Sequence, residues 1–278
     1  MRKHSALALT ISLLFLVLEV NAQEITRSSI ETPTASESIG TFNKIAYVRH
    51  RGRFIGQTES GPFDVPYEIT LPSNPEEGNQ ICVFEPPHFS GGPVGPDFFF
   101  GSEFLFANGF GHASVGFGNA AKEAKEATDT GILREFALVL KQKTSFFAGQ
   151  VNRIYAVGFS DSGNTVRSVY EPFGHEVFDL TYICTAGHTE HVKFNGENPI
   201  IVINIDADFD EYRLPDSEFS QYRYYAIAGG PHTSIAGTTP INWLPLARAL
   251  FIAGDEWVRK GTPPPPSGML NSPPQAPQ

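Results

Sequence analysis

Residues 153–167 read Arg-Ile-Tyr-Ala-Val-Gly-Phe-Ser-Asp-Ser-Gly-Asn-Thr-Val-Arg, an apolar strand-like run that breaks at Gly158-Phe-Ser160-Asp-Ser162-Gly163 and continues with helical spacing. This is the outline of a nucleophile elbow. A serine at a sharp strand-to-helix turn holds a strained backbone, so the residues two before and two after it must be small. Gly158 and Ser162 satisfy that demand, and Gly163 follows directly. The turn also puts the backbone N–H of Asp161 at a helix N-terminus, where an unpaired donor and the helix dipole both favour a developing oxyanion. Ser160 is the nucleophile candidate; an ordinary Gly/Ser-rich connection is the plainer alternative.

Around the elbow the chain alternates strand-like and helical segments. From Lys44 to Ile69 it reads as strands and turns punctuated by Gly52, Gly56 and Gly61, an antiparallel edge. Gln80 to Glu85 is a short apolar run that ends at Pro86-Pro87, as a central strand feeding a loop would. Ser102 to Asn108 reads as a short helix, His112 to Phe117 as a strand, Ile132 to Lys141 as a helix and Ile154 to Phe159 as the strand before the elbow. Beyond it come a helix over Asp161 to Tyr170, strands over Val177 to Cys184, Ile200 to Asp206 and Tyr222 to Ala228, and a helix over Pro240 to Lys260. Such alternation predicts an α/β fold with a mostly parallel central sheet and helices on both faces.

In sheets of this kind chemistry gathers beyond the carboxyl ends of the strands. Ser160 follows one strand, the acidic run Asp206-Ala-Asp208-Phe-Asp210-Glu211 another, and Gly229-Gly230-Pro231-His232 the last. Their order, Ser then Asp then His, is that of an α/β-hydrolase triad. Ser160 needs a base because its hydroxyl is barely ionised at neutral pH, and His232 is the candidate. The anion that fixes the imidazole tautomer is read first as Asp208, with Asp206 and then Asp210 as alternatives. The same acidic run resembles a calcium loop but has Glu211 where glycine is needed and Ser217 in place of the closing glutamate, so no metal is expected there. A second oxyanion donor should come from the loop after Glu85. Pro86 and Pro87 have no N–H to give, which leaves His88 or Phe89. His188 and His191 have metal-like spacing without a completing ligand set, and read as surface residues. No cofactor is called for.

The chain's ends set the remaining expectations. Met1-Arg-Lys-His leads an apolar run from Ala6 to Val17, and Val20 and Ala22 suit a cleavage site before Gln23, so residues 1–22 read as a signal peptide. Export, to the periplasm or outside the cell, and no membrane attachment after cleavage follow from that reading. Residues 23–38 look like a flexible lead-in, 39–261 like one domain, and the proline-rich 262–278 like a disordered tail. A formal net charge of -10, spread rather than blocked, disfavours nucleic acid as a partner. The expected partner is a small-molecule ester or amide; oligomeric state is left open. Most of the 23 Phe residues should fill the core, although the cluster from Phe98 to Phe106 has the alternative of lining an apolar cleft. The two cysteines, Cys82 and Cys184, fall on strands expected to flank the nucleophile strand, too far apart for a disulfide. Two buried thiols are expected, with a bridge permitted by export as the alternative.

Several segments together resemble a known family. Tyr155-Ala-Val-Gly-Phe-Ser-Asp-Ser-Gly, Val177-Phe-Asp179, Tyr224-Tyr-Ala-Ile-Ala-Gly-Gly-Pro-His232 and Trp257-Val-Arg-Lys-Gly-Thr-Pro-Pro-Pro-Pro-Ser267 are similar to motifs of the alpha/beta-hydrolase-domain family that includes phthalyl-amidase-like enzymes. The resemblance spans Tyr155 to Ser267 and implies an α/β-hydrolase fold and serine hydrolysis of an ester or amide, with Ser160 and His232 on the motif serine and histidine. This chain has Asp161 where the family usually has Gln, which sets a carboxylate beside the oxyanion site and disfavours anionic substrates. Only Thr189 to Pro199 is available for a cap between its flanking strands, which implies a small or missing lid. The combined expectation is a carboxylic ester hydrolase, with an amidase on the same triad, or a catalytically silent binding protein, as alternatives.

Overall fold

A computed structural model describes residues 25–58, 61–88, 91–116, 122–142, 147, 150–186, 198–205, 221–228, 232 and 242–271. The strands are β1 (Ile25–Ile30), β2 (Ala35–Phe42), β3 (Ile45–Thr58), β4 (Gly61–Pro72), β5 (Ile81–Phe84), β6 (Gly111–Val115), β7 (Arg153–Phe159), β8 (Leu180–Cys184), β9 (Ile200–Ile205), β10 (Tyr222–Ala228) and β11 (Gly268–Asn271). They form a single sheet in the order β1-β3-β4-β6-β5-β7-β8-β9-β10-β11, with β2 also on β3. Pairing is antiparallel through β4·β6 and parallel from β6·β5 onward. The architecture is the expected one, α/β with a mostly parallel sheet.

Side-chain alternation along the strands divides the interior into two cores, because a strand turns successive side chains to opposite faces. Cys82, Phe84, Ile154 and Ala156 join one core with α2 (Lys122–Lys141) and α3 (Asp161–Val177). Ile81, Val83, Tyr155, Val157 and Phe159 join the other with α1 (Ser102–Ala107) and α4 (Leu244–Lys260). Helices on both faces explain why β5, β8 and β9 are buried throughout and apolar but for Thr181 and Asn204. α4 has Pro245 in its first turn, where a missing N–H costs nothing, and stops at Gly261, whose φ of 70° lets its N–H close back on the Trp257 carbonyl at 2.9 Å. No helix among the described residues is long and apolar enough to cross a membrane.

Four expectations change. The segment 23–38, read as a flexible lead-in, supplies β1 and the first half of β2, which share the outer side of the long β3 and displace the β3–β4 hairpin from the edge. These strands escape a periodicity reading because β2 buries almost nothing. The tail also joins the sheet: β11 lies parallel to β10, and residues 272–278 fall outside the described set. Its prolines lack N–H groups but their carbonyls accept, Pro264 from Arg223 Nε at 3.4 Å and Pro265 from Tyr225 Oη. Ser267 Oγ in turn accepts the Tyr224 N–H at 2.8 Å. α2 begins ten residues earlier than the expected Ile132, and α3 runs on to Val177, shortening β8 to Leu180–Cys184. Cys82 and Cys184 are free and buried, with β7 between their strands and their side chains in opposite cores. Burial pushes both thiols well above their ordinary range, which makes them poor nucleophiles. The region read as a signal peptide lies outside the described residues.

Candidate active site

At the junction of β7 and α3, Ser160 takes a φ of 56°, in the left-handed region where a non-glycine side chain is strained. Its own N–H donates to the Cys184 carbonyl of β8 at 2.9 Å, and its carbonyl accepts the first helical bond from Asn164 at 3.2 Å. The turn is therefore clamped on both sides of the strained residue. Gly158 is required, since a Cβ there would lie 2.5 Å from the Ser162 carbonyl oxygen and 2.6 Å from the Gly163 Cα. Gly163 is required as well, because its Cβ would meet the Ala186 Cβ at 2.8 Å. Ser162 does more than stay small. Its hydroxyl accepts the Phe159 N–H and donates to the Phe159 carbonyl, each at 2.9 Å, lacing the elbow shut.

His232 Nε2 lies 2.9 Å from Ser160 Oγ, although 72 residues separate them. That geometry suits proton transfer from the hydroxyl to the imidazole. The His232 ring packs on Phe159 at 5.6 Å between centroids, and Phe159 in turn stacks on Phe99 at 5.3 Å and meets Trp243 at 6.0 Å. An apolar wall thus backs the histidine. The Phe-rich segment mostly fills the core, as expected: Phe99, Phe100 and Phe106 are buried, whereas Phe98 and Phe104 are half-buried. Asp161 opens α3, so its N–H is one of the donors that a helix leaves without an internal acceptor. Asp206, Asp208 and Asp210, the candidates for the triad acid, lie outside the described residues, as do Phe89, His188 and His191. His88 is half-buried at the start of the loop after β5, its ring 5.3 Å from Phe98 and its carbonyl accepting the Gly91 N–H at 3.0 Å. No cluster of three or more metal-ligating side chains occurs among the described residues.

Two features of this rim went unseen in the sequence. Thr185, at the end of β8, has a φ of 47°, a costly conformation for a β-branched side chain, and its buried hydroxyl has no partner among the described residues. The peptide between Cys184 and Thr185 spans the sheet, its carbonyl accepting from Ser160 and its N–H donating to the Ile203 carbonyl at 2.8 Å. The second feature is a fully buried pair, Glu85 and His112, whose Oε2 and Nε2 are 2.9 Å apart. Burial pushes the Glu85 carboxyl above its ordinary range, and the His112 ring opposes that shift. A charged residue closing the apolar run Gln80 to Glu85 was the one available signal, and nothing in Gly-Phe-Gly-His112 marked its partner.

No family model matches the chain, and no curated protein matches it. Among solved structures it is similar to an α/β serine hydrolase without a lid from Xanthomonas campestris, at 14% identity over 86% of this chain and 99% of that one, TM-score 0.46. It is also similar to an α/β serine hydrolase homologue from Coxiella burnetii, at 11% identity over 81% and 98%, TM-score 0.42. A fungal esterase from Rhizomucor miehei shares 10% identity over 77% and 85%, TM-score 0.48.

Proposed function

We propose that this chain is an exported serine hydrolase that cleaves a carboxylic ester through an acyl-enzyme. The observation that carries the reading is the 2.9 Å approach of His232 Nε2 to the hydroxyl of a serine held left-handed at a strand-to-helix elbow. Strain of that kind persists only where the surroundings impose it, and here it lifts a hydroxyl to the rim of the sheet within reach of a base. Ser160 Oγ attacks the carbonyl carbon as His232 takes its proton. The tetrahedral intermediate collapses, His232 returns the proton to the departing alcohol oxygen, and water activated by His232 then releases the acid. Asp208 orients His232 in this scheme, with Asp206 and Asp210 as alternatives. The Asp161 N–H, and a donor from the loop that starts at His88, hold the oxyanion. The chemistry calls for no metal or cofactor. Similarity to the alpha/beta-hydrolase-domain family with phthalyl-amidase-like members agrees with this reading and adds an amide as the alternative substrate.

A fluorophosphonate probe tests the assignment. The mature protein, from Gln23, should be labelled at Ser160 and lose labelling in Ser160→Ala, with turnover of a p-nitrophenyl ester falling by about 10³-fold or more. An unlabelled wild-type protein would mean a silent fold. Faster cleavage of matched anilides than of esters would make it an amidase.

A further inference from the structure

The buried pair Glu85–His112 has no part in the proton transfers just described, yet it lies at the root of the loop that the same reading needs. β5 ends at Phe84, and the Glu85 N–H still donates to the Ala113 carbonyl of β6 at 3.0 Å. Pro86 and Pro87 have no N–H with which to extend that ladder. Farther along, the Val94 N–H donates to Ser114 Oγ at 3.0 Å. Between these anchors a local turn bond runs from the Gly91 N–H to the His88 carbonyl at 3.0 Å. The Gly91 carbonyl also lies close to the residue that follows β6, since a Cβ on Gly116 would be 3.1 Å from it. His112 and Ser114 are alternate residues of β6, so both turn to the same face of the sheet, opposite Ala113 and Val115. One face of one strand therefore carries both side-chain anchors of the loop.

We infer that Glu85 and His112 are a positioning pair for the proposed hydrolysis, fixing the direction of the Pro86-Pro87-His88 segment so that its first available N–H is held toward the oxyanion; the inference rests on the serine hydrolase reading above. Packing alone does not account for the pair. Glu85 is 1% exposed and His112 0%, and hydrophobic side chains of similar volume would hold β5 to β6 without desolvating a carboxylate and an imidazole. Glu85 Oε1 and His112 Nδ1 are, moreover, buried without a partner among the described residues, so the pair is not optimised for stability. What the short Oε2–Nε2 bond supplies, and apolar contact does not, is direction. Asp97 is close enough to push the Glu85 carboxyl further up and itself receives the Ser102 N–H at 2.7 Å, tying the far end of the loop to α1. Donors aimed at a developing oxyanion must be held to within a fraction of an ångström, because catalysis falls steeply with misplacement.

The test compares wild type, Glu85→Gln, His112→Gln and the double variant, each normalised to fluorophosphonate-titrated sites. Expected for each single variant is a loss of about tenfold or more in kcat at a KM within about twofold, with a parallel loss of affinity for a trifluoromethyl ketone that mimics the tetrahedral state. The double variant should be no worse than the weaker single one, since the two side chains act as a unit. Unchanged kcat, losses that multiply in the double variant, or a ketone affinity that does not follow kcat would overturn the pair's role. Where Glu85→Gln fails to fold, Ser114→Ala at the second anchor is read in its place, with the same split expected and an unchanged kcat counting against the inference. A wild-type protein that the fluorophosphonate does not label defeats the hydrolase reading and this inference with it. A labelled, active wild type with indifferent variants defeats this inference alone.

Discussion

Glu85 and Asp255 are both buried carboxylates, each 1% exposed, and they are treated in opposite ways. In the body of the fold, Asp255 Oδ1 accepts from Tyr155 Oη and Arg259 Nε at 2.9 Å each, and Oδ2 accepts from Arg259 Nη2. At the rim, Glu85 has one oxygen on His112 and the other without a partner among the described residues. Left-handed backbone occurs in both regions, with Gln80 at the amino end of β5 as one instance away from the rim. Ser160 and Thr185, adjacent across β7 and β8, are left-handed at the carboxyl ends of their strands, whereas Asn43 and Lys44 are left-handed only because a two-residue hairpin turn demands it. In the body, Asp255 is fully paired and thereby adds stability, although the buried hydroxyls of Thr70 and Thr181 have no partner among the described residues. At the rim, Ser160 and Thr185 combine left-handed backbone with the incompletely paired Glu85 in one small region, the kind of strain the proposed chemistry would use.

This division can be attacked from both sides. Removing the body's carboxylate with Asp255→Ala should lower unfolding free energy by about 2–3 kcal/mol, because Tyr155 loses its acceptor in the interior while Arg259 can still reach water. Urea melts measure it, and turnover per titrated site should not change; a rate loss at intact stability would erase the distinction. Gly163→Ala sits where the two regions meet. Its Cβ must displace Ala186, so a stability loss of about 1–3 kcal/mol is expected together with a drop in kcat as the elbow shifts. Stability loss with an unaffected rate would show that α3 can move without moving Ser160. The smallest effect should come from Thr185→Gly, which relieves the left-handed β-branched residue and should raise unfolding free energy by up to about 1 kcal/mol, part of the gain being lost to the freer unfolded glycine. A lower melting temperature would mean that Thr185 is held by contacts rather than strained.

Much of this layout could be read from residue order. The runs that became β5, β7, β8 and β9 announced themselves because a strand covered on both faces is apolar at nearly every position, and Gly158, Ser160 and Gly163 marked the elbow because only small residues fit beside it. The approach of His232 to Ser160 was foreseeable from their placement after strands, a rule of chain topology that needs no distance. β1, β2 and β11 stayed hidden for the converse reason. Strands at the margins of a sheet need few apolar side chains, and β11 is preceded by prolines whose sequence signature is that of an open chain. Glu85–His112 was illegible because pairing across 27 residues depends on β5 and β6 lying side by side, and β6 reaches that place only by running parallel to a strand that precedes it.

The two segments that defied the sequence reading lie at opposite margins of the sheet. β1 and β2 cover the open side of β3, and β11 covers that of β10. A chain trimmed to residues 39–261 would keep the elbow, the histidine and the second half of β2, but bare β10 and the rest of the outer side of β3, each a row of backbone donors and acceptors that templates strand-to-strand docking of a second molecule. The terminal segments thus act as hems, and cutting them away would favour aggregation before it disturbed the Ser160 elbow.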